Sequence, residues 1–263
     1  MQETGWEYAI VYSHDPAQLL AKRLAALVTN TVFHTMDITG PVVLISDLHL
    51  TAEDPSGLEC FEAFTQHLHG VDQLYILGDL FEYWVGDDSA EALGLTGVCT
   101  ALKRLHESGT QITLMTGNRD FLLGQDFCKS TGCHLLQEPA EEEISGHLIL
   151  LQHGDKLCTD DIDHQQHRAI VDQPSWRETF LNKSFSQRQS LAQAGRSQSE
   201  AGKRYKTADI MDVNHAAVEN ALLNNVKDST RVALCDYSVP CCKCLLVHGV
   251  DDVVEALGQR ENV

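Results

Sequence analysis

Four short apolar runs, each ending in residues that can ligate a metal, constrain this chain more than any other feature. Val42-Val43-Leu44-Ile45 leads into Asp47 and His49, and Leu74-Tyr75-Ile76-Leu77 into Gly78-Asp79. Ile112-Thr113-Leu114-Met115 leads into Gly117-Asn118-Arg119-Asp120, and Leu148-Ile149-Leu150-Leu151 into His153-Gly154-Asp155. Continuous apolar runs of this length suit strands buried on both faces. A carboxylate, imidazole or amide just past such a strand sits at the C-terminal edge of a sheet, where α/β folds keep their sites. Between the runs, Leu58, Phe61, Phe64 and Leu68 mark one helix face, and Val98, Leu102 and Leu105 another that Gly109 stops. Strand and helix patterns in alternation predict an α/β layered fold. His67, His69 and His106 fall on helices away from the strand ends and read as surface or packing residues.

The donor types narrow the chemistry. Asp47, His49, Asp79, Asn118 and His153 offer oxygen and nitrogen without a thiolate, which suits Mn²⁺, Fe or Zn. Five donors exceed what one three-ligand catalytic metal requires, so two ions about 3.5–4 Å apart sharing Asp79 is the economical reading. Such a pair clamps a phosphoryl oxygen and acidifies a bridging water. Any one of these residues alone reads more simply as a helix cap or turn former. Four strand-terminal signals in order are what point to a metal centre.

Longer stretches carry a resemblance. Ile45-Ser46-Asp47-Leu48-His49-Leu50, Gly78-Asp79-Leu80-Phe81-Glu82-Tyr83-Trp84, Gly117-Asn118-Arg119-Asp120-Phe121-Leu122 and the run from His153-Gly154-Asp155 through Cys158-Thr159-Asp160-Asp161 resemble the calcineurin-like metallophosphoesterase family. Within it they are most similar to the UDP-2,3-diacylglucosamine hydrolases of lipid A biosynthesis, over about residues 42–223. The resemblance implies a layered β-sandwich flanked by helices, in a metallophosphoesterase domain at 41–227 with a helical lid insertion at 156–206. It implies two divalent ions, expected to be Mn²⁺, on Asp47, His49, Asp79, Asn118 and His153. It gives catalytic roles to Asp79, Asn118 and Arg119, and substrate contacts to Asn118, Arg119, Asp161, Arg196, Ser199, Lys203 and Lys206.

The implied reaction is hydrolysis of the pyrophosphate of UDP-2,3-diacylglucosamine to UMP and 2,3-diacylglucosamine 1-phosphate. Arg119 stands where many metallophosphoesterases carry a proton-donating His, and a phosphate leaving group of low pKa has little need of that acid. The implied setting is the cytoplasmic face of the inner membrane, in peripheral contact, with a nucleotide-lipid substrate and no obligatory protein partner. Two other readings stay open: a binding remnant without turnover, and a metallophosphoesterase acting on nucleotide polyphosphates.

Charge supports part of this picture. The net charge of −19 disfavours nucleic acid as a partner. The charge is uneven, since residues 156–206 hold 9 of the 19 basic residues and only 6 acids. That segment is polar and helix-prone, with apolar residues thinly spaced at Ile162, Ile170, Trp176, Phe180, Leu181, Phe185 and Leu191, which suits a lid better than a separate core. Arg196, Ser199, Lys203 and Lys206 recur at three- and four-residue spacing, so one helix would present them on one side toward a phosphorylated substrate. At 263 residues, one domain with an insertion is expected. No apolar run approaches the roughly 18 residues of a membrane span. The N-terminus shows no secretory h-region, so Cys60, Cys99, Cys128, Cys133 and Cys158 read as reduced thiols of a cytosolic protein.

Both ends depart from the pattern. Residues 1–40 form an extension in which 18–28 could make an amphipathic helix with Leu19, Leu20, Leu24 and Leu27 on one face. Met36 as the natural start and a true helical appendage are equal readings. Residues 207–226 predict a single helix capped at Thr207 or Asp209, with Ile210, Val213, Ala217, Val218 and Leu222 facing inward. The family then supplies a strand ending in Gly-His-x-His, one imidazole for each metal. The atypical tail at 228–263 lacks it: Ser229 to Asp236 and Cys241-Cys242-Lys243-Cys244 follow, and Val250 and Asp252 stand after His248-Gly249 where the imidazoles belong. A frameshifted reading, a natural degenerate end, and replacement ligands from His248 or the cysteines are the three explanations.

An ion short of an imidazole fills the gap with water and loses fixed geometry, and about 1 Å of misplacement can cost roughly 10²-fold in rate. Replacing everything after Val226 by a strand ending in Gly-His-Thr-His should therefore raise kcat by about that factor, with substrate affinity little changed. Equal turnover of the two versions at saturating Mn²⁺ would show either that His248 and its neighbours already complete the site or that those imidazoles are dispensable here.

Overall fold

Parallel pairing of the first three apolar runs sets the architecture. The computed structural model describes residues 10–11, 42–68, 70–144, 147–214, 216–217, 220–221, 231–234 and 244–245. A two-residue antiparallel pairing joins β1 (Ile10–Val11) to β9 (Cys244–Leu245). The main sheet holds β2 (Val42–Ile45), β3 (Gln73–Leu77), β4 (Gln111–Met115) and β5 (His134–Leu136), all parallel and in chain order. Parallel neighbours need a crossover, and α1 (Pro55–His67), α2 (Thr96–Glu107) and α3 (Gln125–Thr131) supply the three. The C-terminal ends of all these strands therefore lie along one edge.

Side-chain alternation explains why the runs are apolar throughout. Val43, Ile45, Leu74, Ile76, Ile112 and Leu114 pack with Phe61, Val98, Leu102, Leu105 and Phe127 of the helices. Val42, Leu44, Tyr75, Leu77 and Met115 pack instead with Ile144 and Leu151 of a second sheet. A strand with apolar neighbours on both faces has no polar alternation to show. The expected helix faces are those observed, with Phe61 and Leu68 buried in and just after α1 and Val98, Leu102 and Leu105 buried in α2. His69 lies outside the described residues. Cys99, Cys128 and Cys133 are free thiols, and burial pushes Cys133 up to about 12 and Cys99 to about 11, which disfavours their thiolate forms.

The fourth apolar run belongs to the second sheet. Strand β7 (His147–Gln152) pairs antiparallel with β6 (Ala140–Ile144) and parallel with β8 (Arg231–Leu234). Its partner β6 escapes a sequence reading because it is Ala-Glu-Glu-Glu-Ile, with Glu141 and Glu143 exposed and only Ile144 buried. Residues 231–234 supply a strand beside β7, and Cys235, Cys241, Cys242 and His248 lie outside the described residues.

Downstream of β7 come α4 (Ile162–Val171), α5 (Pro174–Leu181) and α6 (Phe185–Lys203). Their starts are written in the sequence: the Asp161 side chain accepts the His164 N–H at 3.1 Å, and Ser184 and Gln187 make a reciprocal capping box. Trp176 stacks on Phe180 at 4.8 Å and contacts Phe121, which docks α5 beside the β4 loop. Arg188 is buried on α6, where Nη1 donates to the Val85 carbonyl and both terminal nitrogens donate to Asp88. The expected single helix over 207–226 is corrected. Helix α7 (Ala208–Met211) stops at an extended Asp212, and Ile210 is exposed. The break comes from Asn214, whose N–H donates to the Leu157 carbonyl and whose Oδ1 accepts the Ala217 N–H to begin a new turn.

A buried ion network joins α4 to both sheets. Arg168 reaches Asp155 (Nε to Oδ2, 3.1 Å) and Glu138 (Nη2 to Oε1, 3.3 Å), and Glu138 in turn accepts the His153 N–H at 3.0 Å. Removing one partner of such a network leaves charge buried without compensation. Arg168→Met should destabilise the protein by about 3–5 kcal/mol, read from urea unfolding, and a loss below about 1 kcal/mol would make this an ordinary surface pair.

Candidate metal centre

Two loops zipped together hold the first donors. The Asp47 N–H donates to the Gly78 carbonyl at 3.0 Å, His49 to Asp79 at 2.9 Å, and Leu50 to Leu80 at 2.9 Å. Asp47, His49 and Asp79 all adopt left-handed backbone, with φ of 53°, 49° and 51°. Such a conformation costs about 1–3 kcal/mol for each residue with a Cβ and persists only where the surroundings enforce it. Three of them within one loop pair, all at candidate ligands, mark this edge as built for a site.

Asp79 is at the centre and almost fully buried. Its Oδ1 accepts the Arg119 N–H at 2.8 Å and lies 3.7 Å from His153 Nε2. Its Oδ2 lies 3.9 Å from His49 Nε2 and is buried without accepting a hydrogen bond. The two oxygens of one carboxylate thus face two different imidazoles. Ligand atoms of Asp47, Asp79 and His153 all fall within 4.8 Å of one another. Asn118 Oδ1 is 3.3 Å from His153 Nε2. His153 Nδ1 is 2.9 Å from the Leu77 carbonyl, so a proton there donates and leaves Nε2 to face Asp79 and Asn118. All five sequence-derived donors meet at one place. An orphaned buried carboxylate oxygen among imidazole, amide and carboxylate donors fits a pair of divalent cations.

Two glycines make the close approach possible. A Cβ on Gly117 would lie 2.1 Å from Asp79 Oδ1. One on Gly78, whose φ is +99°, would lie 2.4 Å from His153 Nδ1. Asp120, fully buried, closes the loops by accepting the N–H groups of Leu80 (2.7 Å), Phe81 (3.3 Å) and Gly117 (2.8 Å).

The titration behaviour expresses a concentration of carboxylate. Burial works against charge on His153, yet Asp79, Asp155, Asp47 and Glu138 push it up to about 10. Burial also opposes charge on His49, and there Glu82 and Asp79 outweigh it and raise the pKa. Burial, with the charge of Asp79 beside it, lifts Asp120 to about 7. Asp155 is held well below the usual carboxylate range: burial opposes this, but His164, His153 and Arg168 prevail.

The residues expected to contact substrate are distributed less simply. Arg119 is nearly buried, with Nη1 3.2 Å from Glu82 Oε1 and Nε 3.8 Å from Asp79 Oδ2. Arg196 on α6 pairs with the same Glu82. Ser199 is exposed, and the Lys203 side chain lies outside the described residues. Helix α6 ends at Lys203, so the expectation of one four-residue stripe is corrected: Lys206 lies beyond the helix and reaches Asp161 at 2.5 Å and Asp163 at 3.6 Å. Glu82 and Asp120 were given no role from sequence, although both lie in the motif stretches. A carboxylate among apolar and aromatic neighbours just past a strand end was the available signal.

Similarity to known proteins agrees with this chemistry. The chain is 45% identical over 181 residues to the UDP-2,3-diacylglucosamine hydrolase of Aromatoleum aromaticum, covering 68% of this chain and 74% of that protein. It is 46% identical over 179 residues to the protein of the same name from Nitrosococcus oceani (68% and 71%). It is 42% identical over 185 residues to that from Pseudomonas putida (69% and 75%). The chain matches no protein-family model. A solved structure of the Pseudomonas putida nuclease MPE is 27% identical and covers 44% of this chain and 55% of its own, at a TM-score of 0.34.

Without its central carboxylate the cluster loses the donor common to both imidazoles. Asp79→Ala should abolish Mn²⁺ uptake in equilibrium dialysis, and undiminished uptake would exclude a shared Asp79. In the wild type, the metal must displace the His153 proton. With that pKa raised from 6.5 to about 10, uptake should tighten as pH rises across this window.

Proposed function

This chain belongs to the UDP-2,3-diacylglucosamine hydrolase family, and from that premise we propose that it hydrolyses the pyrophosphate bond of UDP-2,3-diacylglucosamine, giving UMP and 2,3-diacylglucosamine 1-phosphate. The observation that carries the reading is the single buried carboxylate of Asp79 set between His49 and His153, with Asp47 and Asn118 beside it. Asp47, His49, Asp79, Asn118 and His153 would hold two divalent ions, Mn²⁺ in this proposal. When bound, such ions supply Lewis acidity toward a phosphoryl oxygen and an acidified water.

The chain's own groups do the rest. Arg119, fixed against Asp79 and Glu82, places positive charge where negative charge develops on the phosphoryl oxygens. Asn118, next in sequence, presents an amide at the same point. Asp120 keeps the Gly78 and Gly117 loops in register, so that donors are preset before substrate arrives. Among described residues, no catalytic His stands in place of Arg119, which favours a leaving group that departs as a low-pKa phosphate.

In this reading the two sheets form a β-sandwich, which the shared packing of Leu77 and Met115 with Ile144 and Leu151 supports. Residues 156–206 form a lid within a domain spanning 41–227. Its aromatic dock at Phe121 and its Arg196 both reach the β3 and β4 loops. Ile162, Ile170, Leu181, Leu191 and Tyr205 are exposed on or just after those helices, in a segment of excess positive charge. That combination supports acyl-chain contact and peripheral association with the cytoplasmic face of the inner membrane. No helix among the described residues is long and apolar enough to cross a membrane. We further propose that turnover is impaired by the lack of a Gly-His-x-His turn after β8.

Contacts to the parts of the substrate beyond the reacting phosphoryl group bind ground and transition states alike. Removing charge at Arg196 or Lys203 should therefore raise KM for the nucleotide-lipid and leave hydrolysis of a small phosphodiester almost unaffected. Equal losses on both substrates would move those residues into the metal centre and count against the lid.

A further inference from the structure

We infer that Glu82 is a positioning residue of this site, one carboxylate that orients His49 and at the same time fastens Arg119 and the α6 helix over the metal centre. The inference rests on the metal-dependent reading above, in which Glu82 enters only as a partner of Arg119.

Three cationic or protonatable groups from separate parts of the chain converge on Glu82. Its Oε2 lies 3.3 Å from His49 Nδ1 on the β2 loop. Its Oε1 accepts from Arg119 Nη1 at 3.2 Å on the β4 loop and from Arg196 Nη2 on α6. The backbone at Glu82 is fixed as well, since its N–H donates to the Leu50 carbonyl at 3.1 Å. A carboxylate in such a place is a poor device for stability alone. Its side chain is 25% exposed and that of Arg196 22%, and pairs of that kind contribute little to stability after solvent screening.

The geometry of His49 gives the carboxylate another use. With Nδ1 facing Glu82 across 3.3 Å, an ion-pair contact not aligned as a hydrogen bond, the opposite nitrogen, Nε2, is the one turned to Asp79 Oδ2. A ligating imidazole that donates its other N–H to a carboxylate is fixed in tautomer and ring orientation, and is made a more basic donor. Glu82 also explains how α6 knows where the site is. Arg188 already clamps the first turn of α6 to Val85 and Asp88. Arg196, two turns further on, has its side chain on Glu82, with Glu200 next at 3.6 Å. Loss of Glu82 would thus free the distal half of α6 while the Arg188 clamp keeps the proximal half docked.

The test uses the full chain and Mn²⁺ alone. Glu82→Gln should weaken Mn²⁺ binding by about 10-fold or more in titration calorimetry, the usual scale for losing such a partner of a ligating His. The melting temperature without metal should change little. Glu82→Asp, which keeps the charge on a shorter stem, should recover part of the affinity. Hydrogen exchange over residues 192–203 should quicken in Glu82→Gln and in Arg196→Met, with no further gain in the double variant, while residues 185–189 stay protected.

Wild-type affinity for Mn²⁺ in both Glu82 variants would overturn the inference, and so would a wild type that binds no Mn²⁺. Additive exchange effects would overturn the α6 half of it. If Glu82→Gln does not fold, Glu82→Asp and Arg196→Met carry the same two readouts. A chain that shows the metal effect yet leaves UDP-2,3-diacylglucosamine intact would refute the proposed substrate and leave Glu82's role standing.

Discussion

Asp79 is a charge that the fold cannot easily hold, and much of the surrounding structure exists to hold it. It is about 1% exposed, sits at positive φ, and leaves one carboxylate oxygen without a hydrogen bond. Burying an uncompensated carboxylate costs several kcal/mol, and the left-handed backbone adds about 1–3 more. The Arg119 N–H on its carboxylate and the His49 N–H on its own backbone carbonyl offset part of that cost. The remainder is a demand for positive charge. That demand is visible in the imidazole of His153, raised to about 10 by the acids around it.

The rest of the molecule falls into supports for that point. The parallel sheet brings three loops to one edge, and β7 brings the fourth from the second sheet. The second sheet is tied to the first through a small apolar cluster and through Glu138, which accepts the His153 N–H while facing Arg168 and Lys156. Asp155 and His164 extend this network under α4. Side chains that look like scattered charge in the sequence are thus a continuous buried scaffold beneath one ligand.

Helix α6 meets the same centre from above through two arginines of different character. Arg188 is almost fully buried and bidentate on Asp88, which suits an anchor. Arg196 is partly exposed on Glu82, beside the ligands, which suits a contact that a phosphate can compete for. Lys206 is set apart on Asp161 and Asp163, so cations at regular sequence spacing serve separate groups of carboxylates.

The strand-terminal donors Asp47, His49, Asp79, Asn118 and His153 were legible because burial on both faces forces a continuous apolar run and the polar residue after it has to lie at the edge. The α1 and α2 faces were legible for the related reason that 3.6-residue periodicity is local. What the chain by itself did not disclose depends on partners distant in sequence. Strand β6 is acidic on its exposed side and acquires its strand character from pairing with β7. The break at Asp212 follows from an Asn214 contact with Leu157, 57 residues away. The stripe expected along α6 failed because a helix end is set by backbone geometry, and spacing alone cannot say where the helix stops. Glu82 shows the division most clearly. As a letter in Leu80-Phe81-Glu82-Tyr83 it is one acid among 38. Only the tertiary structure sets it between His49, Arg119 and Arg196, because electrostatic partnership depends on distance in space and leaves no periodic trace in sequence.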